Sequence, residues 1–258
     1  MNEVSIVTPD VRPKTTAATA AEIRAGELDL ALAGLPTEEL IDLAINRLFP
    51  GQIAVVSSFG AESAVLLDLV ASVSTAVPIL FVDTGKHFDE TLRHRDRLVE
   101  RLGFTDVRSL GQSREELLNR DPDDWLWNDD PDACCALRKV EPLARGMEGF
   151  TAWISGRKRF QASTRTTIPT FEADGSRIKV NPLAAWEPSA LVERALIRGL
   201  PTHPLVEKGY PSIGCMPCTS RVAPGEDPRA GRWRGRAKTE CGIHLGLSAG
   251  SETDGSGI

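Results

Sequence analysis

Short unbroken apolar runs alternate along this chain with longer stretches in which apolar residues recur at helical spacing. Ile53 to Ser57 is the first such run, rich in branched residues. It leads through Ser58-Phe59-Gly60-Ala61-Glu62-Ser63 into Ala64 to Val73, so the segment reads as strand, turn, helix. Val77 to Val82 repeats the pattern, ending in Asp83-Thr84-Gly85 before a charged, helix-like stretch from Phe88 to Leu102. Val107 to Leu110 and Ala152 to Ser155 are weaker strand candidates separated by helical sequence. Strand then helix, several times over, predicts an α/β fold with a doubly wound, mostly parallel sheet. Ligands of such sheets lie beyond the carboxyl ends of the strands, near where the strand order reverses. The turns after Val56 and Val82 and the basic run from Gly156 to Arg159 are expected to share that edge.

Asp174-Gly175, between Thr167–Glu172 and Arg177–Val180, is a hairpin signal. The hairpin is expected to project from the sheet. Residues 1–20 and the Gly- and Ser-rich residues 246–258 lack a core-forming pattern. The first is expected to be disordered and the second a flexible tail, which leaves residues 21–245 as a single domain with a mobile carboxyl-terminal segment. A length of 258 residues suits one core.

With 41% hydrophobic and 26% charged residues, and no run near the ~20 apolar residues that a bilayer requires, a membrane-spanning role is excluded. The amino terminus has no basic segment followed by an apolar core, and Glu3 and Asp10 argue against a transit peptide. The expected location is cytoplasmic. A net charge of −6 makes the molecule as a whole a poor nucleic-acid binder. Its cations are nevertheless grouped, at Arg157, Lys158, Arg159 and Arg165 and again from Arg221 to Lys238, which suits a small anion.

Four features can carry chemistry. The turn from Ser57 to Ser63 joins a strand to a helix with small residues, and it is either an anion-binding loop or an ordinary turn. Five cysteines form two close pairs, Cys134-Cys135 and Cys215-Met216-Pro217-Cys218, with Cys241 alone. Asp130 can cap a helix that starts at Pro131, which would set the first pair near its amino end, with Lys139 on the same face as Cys135. Four thiolates suit zinc or an iron–sulfur cluster. Adjacent cysteines diverge, which is awkward at one ion and acceptable on a larger cluster, so iron–sulfur is favoured over zinc and over buried packing cysteines. Cys241, preceded by basic residues and followed by His244, is either an activated thiol or a surface cysteine. Arg229 and Arg232, three apart, can fork onto phosphate or sulfate, as can Arg157 and Arg159, although a solvated charged face is the ordinary reading of such runs. His87, His94 and His203 have no usable partner spacing and read as surface or packing residues.

Together these residues resemble the assimilatory sulfonucleotide reductases, specifically the iron–sulfur type, the adenylyl-sulfate (APS) reductases. The resemblance covers about residues 40 to 246. It rests on the Ser57–Ser63 loop, Asp83-Thr84-Gly85, Cys134-Cys135 with Lys139, and Gly156-Arg157-Lys158-Arg159. Cys215-Met216-Pro217-Cys218, the stretch from Gly225 to Trp233, and Lys238-Thr239-Glu240-Cys241-Gly242-Ile243-His244 complete it. A double Cys, a C-x-x-C and a terminal Glu-Cys-Gly-x-His in that order are highly specific in combination. The basic motif departs from the family's usual Gly-x-Arg-Arg-x-Gln-Ser, since this chain reads Gly156-Arg157-Lys158-Arg159-Phe160-Gln161-Ala162.

The resemblance implies an adenine nucleotide α-hydrolase-like fold and a [4Fe-4S] cluster held by Cys134, Cys135, Cys215 and Cys218. It implies Cys241 as nucleophile and substrate contacts from Ser57, Ser58, Gly60, Glu62, Asp83, Thr84, Lys139, Arg157, Lys158, Arg159, Arg229 and Arg232. The implied reaction reduces APS to sulfite and AMP through a Cys241 S-sulfocysteine, with thioredoxin or glutaredoxin as dithiol donor; the sequence leaves open whether the protein is a homo-oligomer. The alternatives are a reductase of PAPS or of both nucleotides, an ATP-dependent tRNA sulfurtransferase, and a four-cysteine zinc module.

Overall fold

The computed structural model describes residues 17–244; the expectations for residues 1–16 and 246–258 lie outside the described residues. Helix α1 (Ala20–Leu32) starts on a capping box in which the Thr19 hydroxyl accepts from the Glu22 N–H and the Glu22 carboxylate accepts from the Thr19 N–H. Then follow α2 (Thr37–Leu43), β1 (Ile53–Val56), α3 (Ser63–Val73), β2 (Ile79–Val82), α4 (Asp89–Leu102) and β3 (Val107–Leu110). Short helices α5 (Arg114–Arg120), α6 (Leu126–Asp129), α7 (Pro131–Cys135) and α8 (Glu141–Gly146) lead to β4 (Ala152–Ile154), β5 (Phe171–Asp174), β6 (Arg177–Val180) and α9 (Pro188–Ile197).

The strands form one sheet in the order β3-β2-β1-β4-β6-β5, parallel except for β5. Its pleat explains why the central strands read as unbroken apolar runs. Ile53 and Val55, Ile79 and Phe81, and Ala152 and Ile154 face one core with α1, α2, α3 and α9. Ala54, Leu80 and Trp153 face a second, smaller core with Leu143 and Met147. Both faces are covered, so the sheet is doubly wound, as expected.

The hairpin forms, with Gly175 in the left-handed region at φ 62°. It does not project. β6 pairs in parallel with β4, and Ile178, Lys179 and Val180 are buried, so the hairpin extends the sheet by two strands. The physical reason is that β4 would otherwise leave an unpaired edge, which the hairpin covers. The strand order reverses between β1 and β4, and the segments that follow these two strands open into the site. None of the described helices is long and apolar enough to cross a membrane.

Candidate active site

A cavity of about 490 Å³ opens at the carboxyl edge of β1, β2 and β4. After β1, the Ser57 hydroxyl accepts from the Phe59 N–H at 3.2 Å, and Phe59 bends through the left-handed region at φ 49° with its ring buried. Ser58, Gly60 and Glu62 thereby join the cavity wall at the start of α3. No side chain caps α3, so its first N–H groups and the positive end of its dipole favour an anion.

After β4, Gly156, Arg157 and Lys158 form the adjacent wall. Buried Lys158 donates from Nζ to Glu62 at 2.7 Å, and Gln161 Nε2 reaches the same carboxylate oxygen at 2.6 Å. Burial lowers the pKa of this ammonium, and the Glu62 charge opposes that. Arg157 is buried against Glu172 of β5. Thr84 supplies the wall beyond β2. Asp83 and Arg159 lie off it. The Asp83 carboxylate accepts from the Gly85 N–H at 3.0 Å, and Arg159 turns outward to donate to the Ile168 carbonyl at 3.0 Å.

The opposite wall comes from residues 211–215 and 227–233. A Cβ on Gly214 would collide with the Arg232 guanidinium, so the missing side chain is what admits that cation. An antiparallel bridge between Thr219 and Arg232 fixes the approach. Arg229 donates to the Thr239 carbonyl at 3.0 Å. Burial lowers the pKa of both guanidiniums, so an anion bound between them would relieve an existing desolvation cost. Lys139 joins this wall from the π-helical turn Ala136–Val140.

Asp130 caps α7 as its spacing predicts, accepting from the N–H groups of Asp132 at 3.0 Å and Ala133 at 2.9 Å, with Pro131 in the first turn. Cys134 and Cys135 end that helix. With Cys215 and Cys218 they line a second, smaller cavity, which shares Thr84, Lys139 and Cys215 with the first. The turn after β2 ties the two cysteine arms together. Thr84 Oγ1 lies 3.3 Å from Cys215 Sγ, the Thr84 carbonyl accepts from Arg138 at 3.1 Å, and the Lys86 carbonyl accepts from the Met216 N–H at 2.7 Å. All four cysteines are free thiols. Burial pushes the Cys134 thiol up to about 11 and raises Cys218 as well, so both favour the protonated form unless a bound cation displaces the proton. Among the described residues, no group of three or more His, Cys, Asp or Glu side chains is arranged to hold a metal ion. Four cysteine sulfurs lining one small cavity are a soft donor set of the kind that suits zinc or an iron–sulfur cluster.

Cys241 lines the large cavity, on a segment docked at both ends. On one side Glu240 accepts from Arg165 Nε at 2.6 Å and from a terminal nitrogen of the same guanidinium at 2.7 Å. On the other, Ile243 packs against the core around Leu80, Leu143 and Met147, and the His244 ring stacks on Trp153 with centroids 6.1 Å apart. Burial and the surrounding cations lower the His244 pKa well below its usual value and keep the ring neutral. A hydrogen bond from Cys135, present only while that residue keeps its proton, and the Lys139 and Arg232 charges lower the Cys241 pKa against the effect of burial; with Cys135 held as a thiolate, the cations alone act in that direction.

Of the residues singled out from sequence, Ser57, Ser58, Gly60, Glu62, Thr84, Lys139, Arg157, Lys158, Arg229, Arg232 and Cys241 therefore share one cavity. Sequence reasoning gave no role to Gln161, Arg165, Glu240 or Trp153. Arg165 was visible only as part of a basic cluster, and Glu240 only as a letter in the terminal motif. His87 also lines the cavity, while His94 and His203 are buried against one another, 4.8 Å between ring centroids.

The phosphoadenosine phosphosulfate reductase domain matches residues 52–221. An adenosine 5'-phosphosulfate reductase of Mesorhizobium japonicum is 51% identical over 233 residues, covering 90% of this chain and 92% of the relative. One from Mycolicibacterium smegmatis is 40% identical over 221 residues, covering 83% and 90% respectively. Among solved structures, the PAPS reductase of Candida auris, in a phosphate complex, superposes with a TM-score of 0.65 at 26% identity, covering 80% of this chain and all of that one. With this family domain across the central sheet and these relatives along most of its length, the chain belongs to the phosphoadenosine phosphosulfate reductase family.

Proposed function

We propose that this protein reduces APS to sulfite and AMP with a dithiol carrier of the thioredoxin or glutaredoxin type, as a cytoplasmic enzyme of assimilatory sulfate reduction and cysteine biosynthesis. The observation that supports this most is a single cavity whose wall holds the Cys241 sulfur, Lys139, Arg229 and Arg232 opposite an uncapped helix start. The Cys241 thiolate attacks the sulfur of the phosphosulfate, the S–O bond to AMP breaks, and Cys241 carries an S-sulfonate. Repulsion between thiolate and sulfonyl oxygens is the obstacle. The three cations offset it and stabilise the charge gathering on the departing AMP. One thiolate of the carrier then attacks Cys241 Sγ, releasing sulfite and forming a mixed disulfide. The second carrier thiol resolves that bond and restores the Cys241 thiol, so both electrons come from the carrier.

Cys134, Cys135, Cys215 and Cys218 would hold a [4Fe-4S] cluster. When bound it supplies a clamp between the two cysteine arms and a fixed contribution to the local field. APS is favoured over PAPS because Lys158 and Arg157, the cations beside the β1 loop, are already paired with Glu62 and Glu172 and so are poorly placed to neutralise a further phosphate. The test is sulfite release from APS and PAPS by protein purified without oxygen and supplied with reduced thioredoxin. APS is expected to be turned over and Cys241→Ser to be inactive with its colour retained. Sulfite formation by Cys241→Ser would remove Cys241 as the nucleophile.

A further inference from the structure

The Glu240 carboxylate is only 11% exposed, although it belongs to a short terminal segment. Besides its two short bonds from Arg165, it accepts from Thr164 Oγ1 at 3.3 Å and meets Arg229 at 3.5 Å. The remaining terminal nitrogen of Arg165 donates to Gln161 Oε1 at 2.6 Å, and Gln161 Nε2 donates to Glu62 beside the β1 loop. A continuous chain of hydrogen bonds thus runs from the residue before Cys241, across the cavity wall, to the start of α3. Each end of the segment has its own anchor and both line the cavity, but only the ionic end is joined by hydrogen bonds to the β1 loop.

We infer that Glu240 and Arg165 form a releasable clasp that positions Cys241, with Gln161 coupling the clasp to the nucleotide loop. The inference rests on the reading of Cys241 as the sulfur nucleophile. A segment that must present its cysteine first to a nucleotide and then to a protein carrier needs an anchor strong enough to aim the thiol and weak enough to open. A charge-assisted, two-point Arg–carboxylate contact has that strength, and the Ile243 and His244 contacts act as the hinge side. Glu240 and Arg165 are positioning residues; neither takes part in bond making.

Amide hydrogen exchange of the holoenzyme tests this without reference to turnover. Glu240→Gln is expected to speed exchange in residues 239–244 by about tenfold, the loss expected of one charged hydrogen-bonded contact, and to leave the central strands unchanged. Arg165→Met should do the same, and the double variant should add little to either single. In the APS assay, Glu240→Gln should lower kcat about tenfold with KM for the nucleotide within about twofold. Unchanged exchange at 239–244, acceleration spread over the whole molecule, fully additive variants, or faster local exchange with unchanged kcat would each overturn the clasp. If the wild-type protein does not turn APS over, the proposed reaction fails and the exchange measurements alone decide the clasp.

Discussion

Acid should unfold this protein through two histidines remote from the candidate active site. His94 and His203 are fully buried, their rings 4.8 Å apart. Neither ring nitrogen of His94 has a hydrogen-bond partner, whereas His203 contacts Thr91 Oγ1 at 3.0 Å and accepts from the Leu205 N–H at 3.2 Å. Burial lowers both pKa values from 6.5 to about 4. His203 and Arg97 lower His94 further; Glu90 and Arg97 act on His203 in opposite directions. The unfolded chain binds protons at these rings below about pH 6.5 and the folded one only near pH 4, so stability falls as pH drops through that window. Between about pH 7 and about pH 5 the loss is about 2 kcal/mol for each ring and about 3–4 kcal/mol for the pair. That is a large share of the ~5–15 kcal/mol that holds a domain together. Urea unfolding followed by tryptophan fluorescence at these two pH values measures it, with His94→Phe keeping a ring and removing one titration. The variant should lose about half as much stability as the wild type over the interval. Equal losses would refute the assignment to this pair.

The Gly214 and cysteine arguments give two more. Gly214→Ala should push the Arg232 guanidinium out of the cavity wall, raising KM for APS several-fold and weakening AMP binding by calorimetry while the melting temperature moves little; unchanged AMP affinity would show that Arg232 does not face the nucleotide. Cys218→Ser should abolish the brown colour and the iron content, and a variant that retained full iron would remove Cys218 from the ligand set.

Much of the fold was legible because its signals are local. Unbroken apolar runs marked β1 and β2 since both faces of those strands are covered, and Asp174-Gly175 marked the hairpin because only a few backbones suit a two-residue turn. Where the hairpin sits was not legible. The pairing of β6 with β4 is a contact between strands separated by a whole connection, and nothing in residues 167–180 encodes the neighbour. Burial of Lys179 would also have argued against it. The structure accommodates that cation with Glu172 at 3.1 Å and with the Trp153 ring, whose centroid is 4.7 Å from Nζ.

The same division runs through the candidate active site. Motif residues such as Ser57, Lys139 and Arg232 were legible through short motifs that resemble those of a known family, and the structure gives each a backbone feature that aims it: a strand end, a helix turn, a glycine facing a guanidinium. Glu240 and Arg165 are 75 residues apart, and Gln161 and Glu62 are 99 apart. Their partners are chosen by the sheet, which brings the connections after β1 and β4 side by side at the point where strand order reverses. A carboxylate at Glu240 would be an ordinary surface charge on an isolated peptide; in the fold it lines the cavity and takes two hydrogen bonds from the Arg165 guanidinium. The catalytic sulfur proposed here is therefore aimed by long-range pairings that a linear reading does not contain, while the chemistry it performs is written in short motifs that it does.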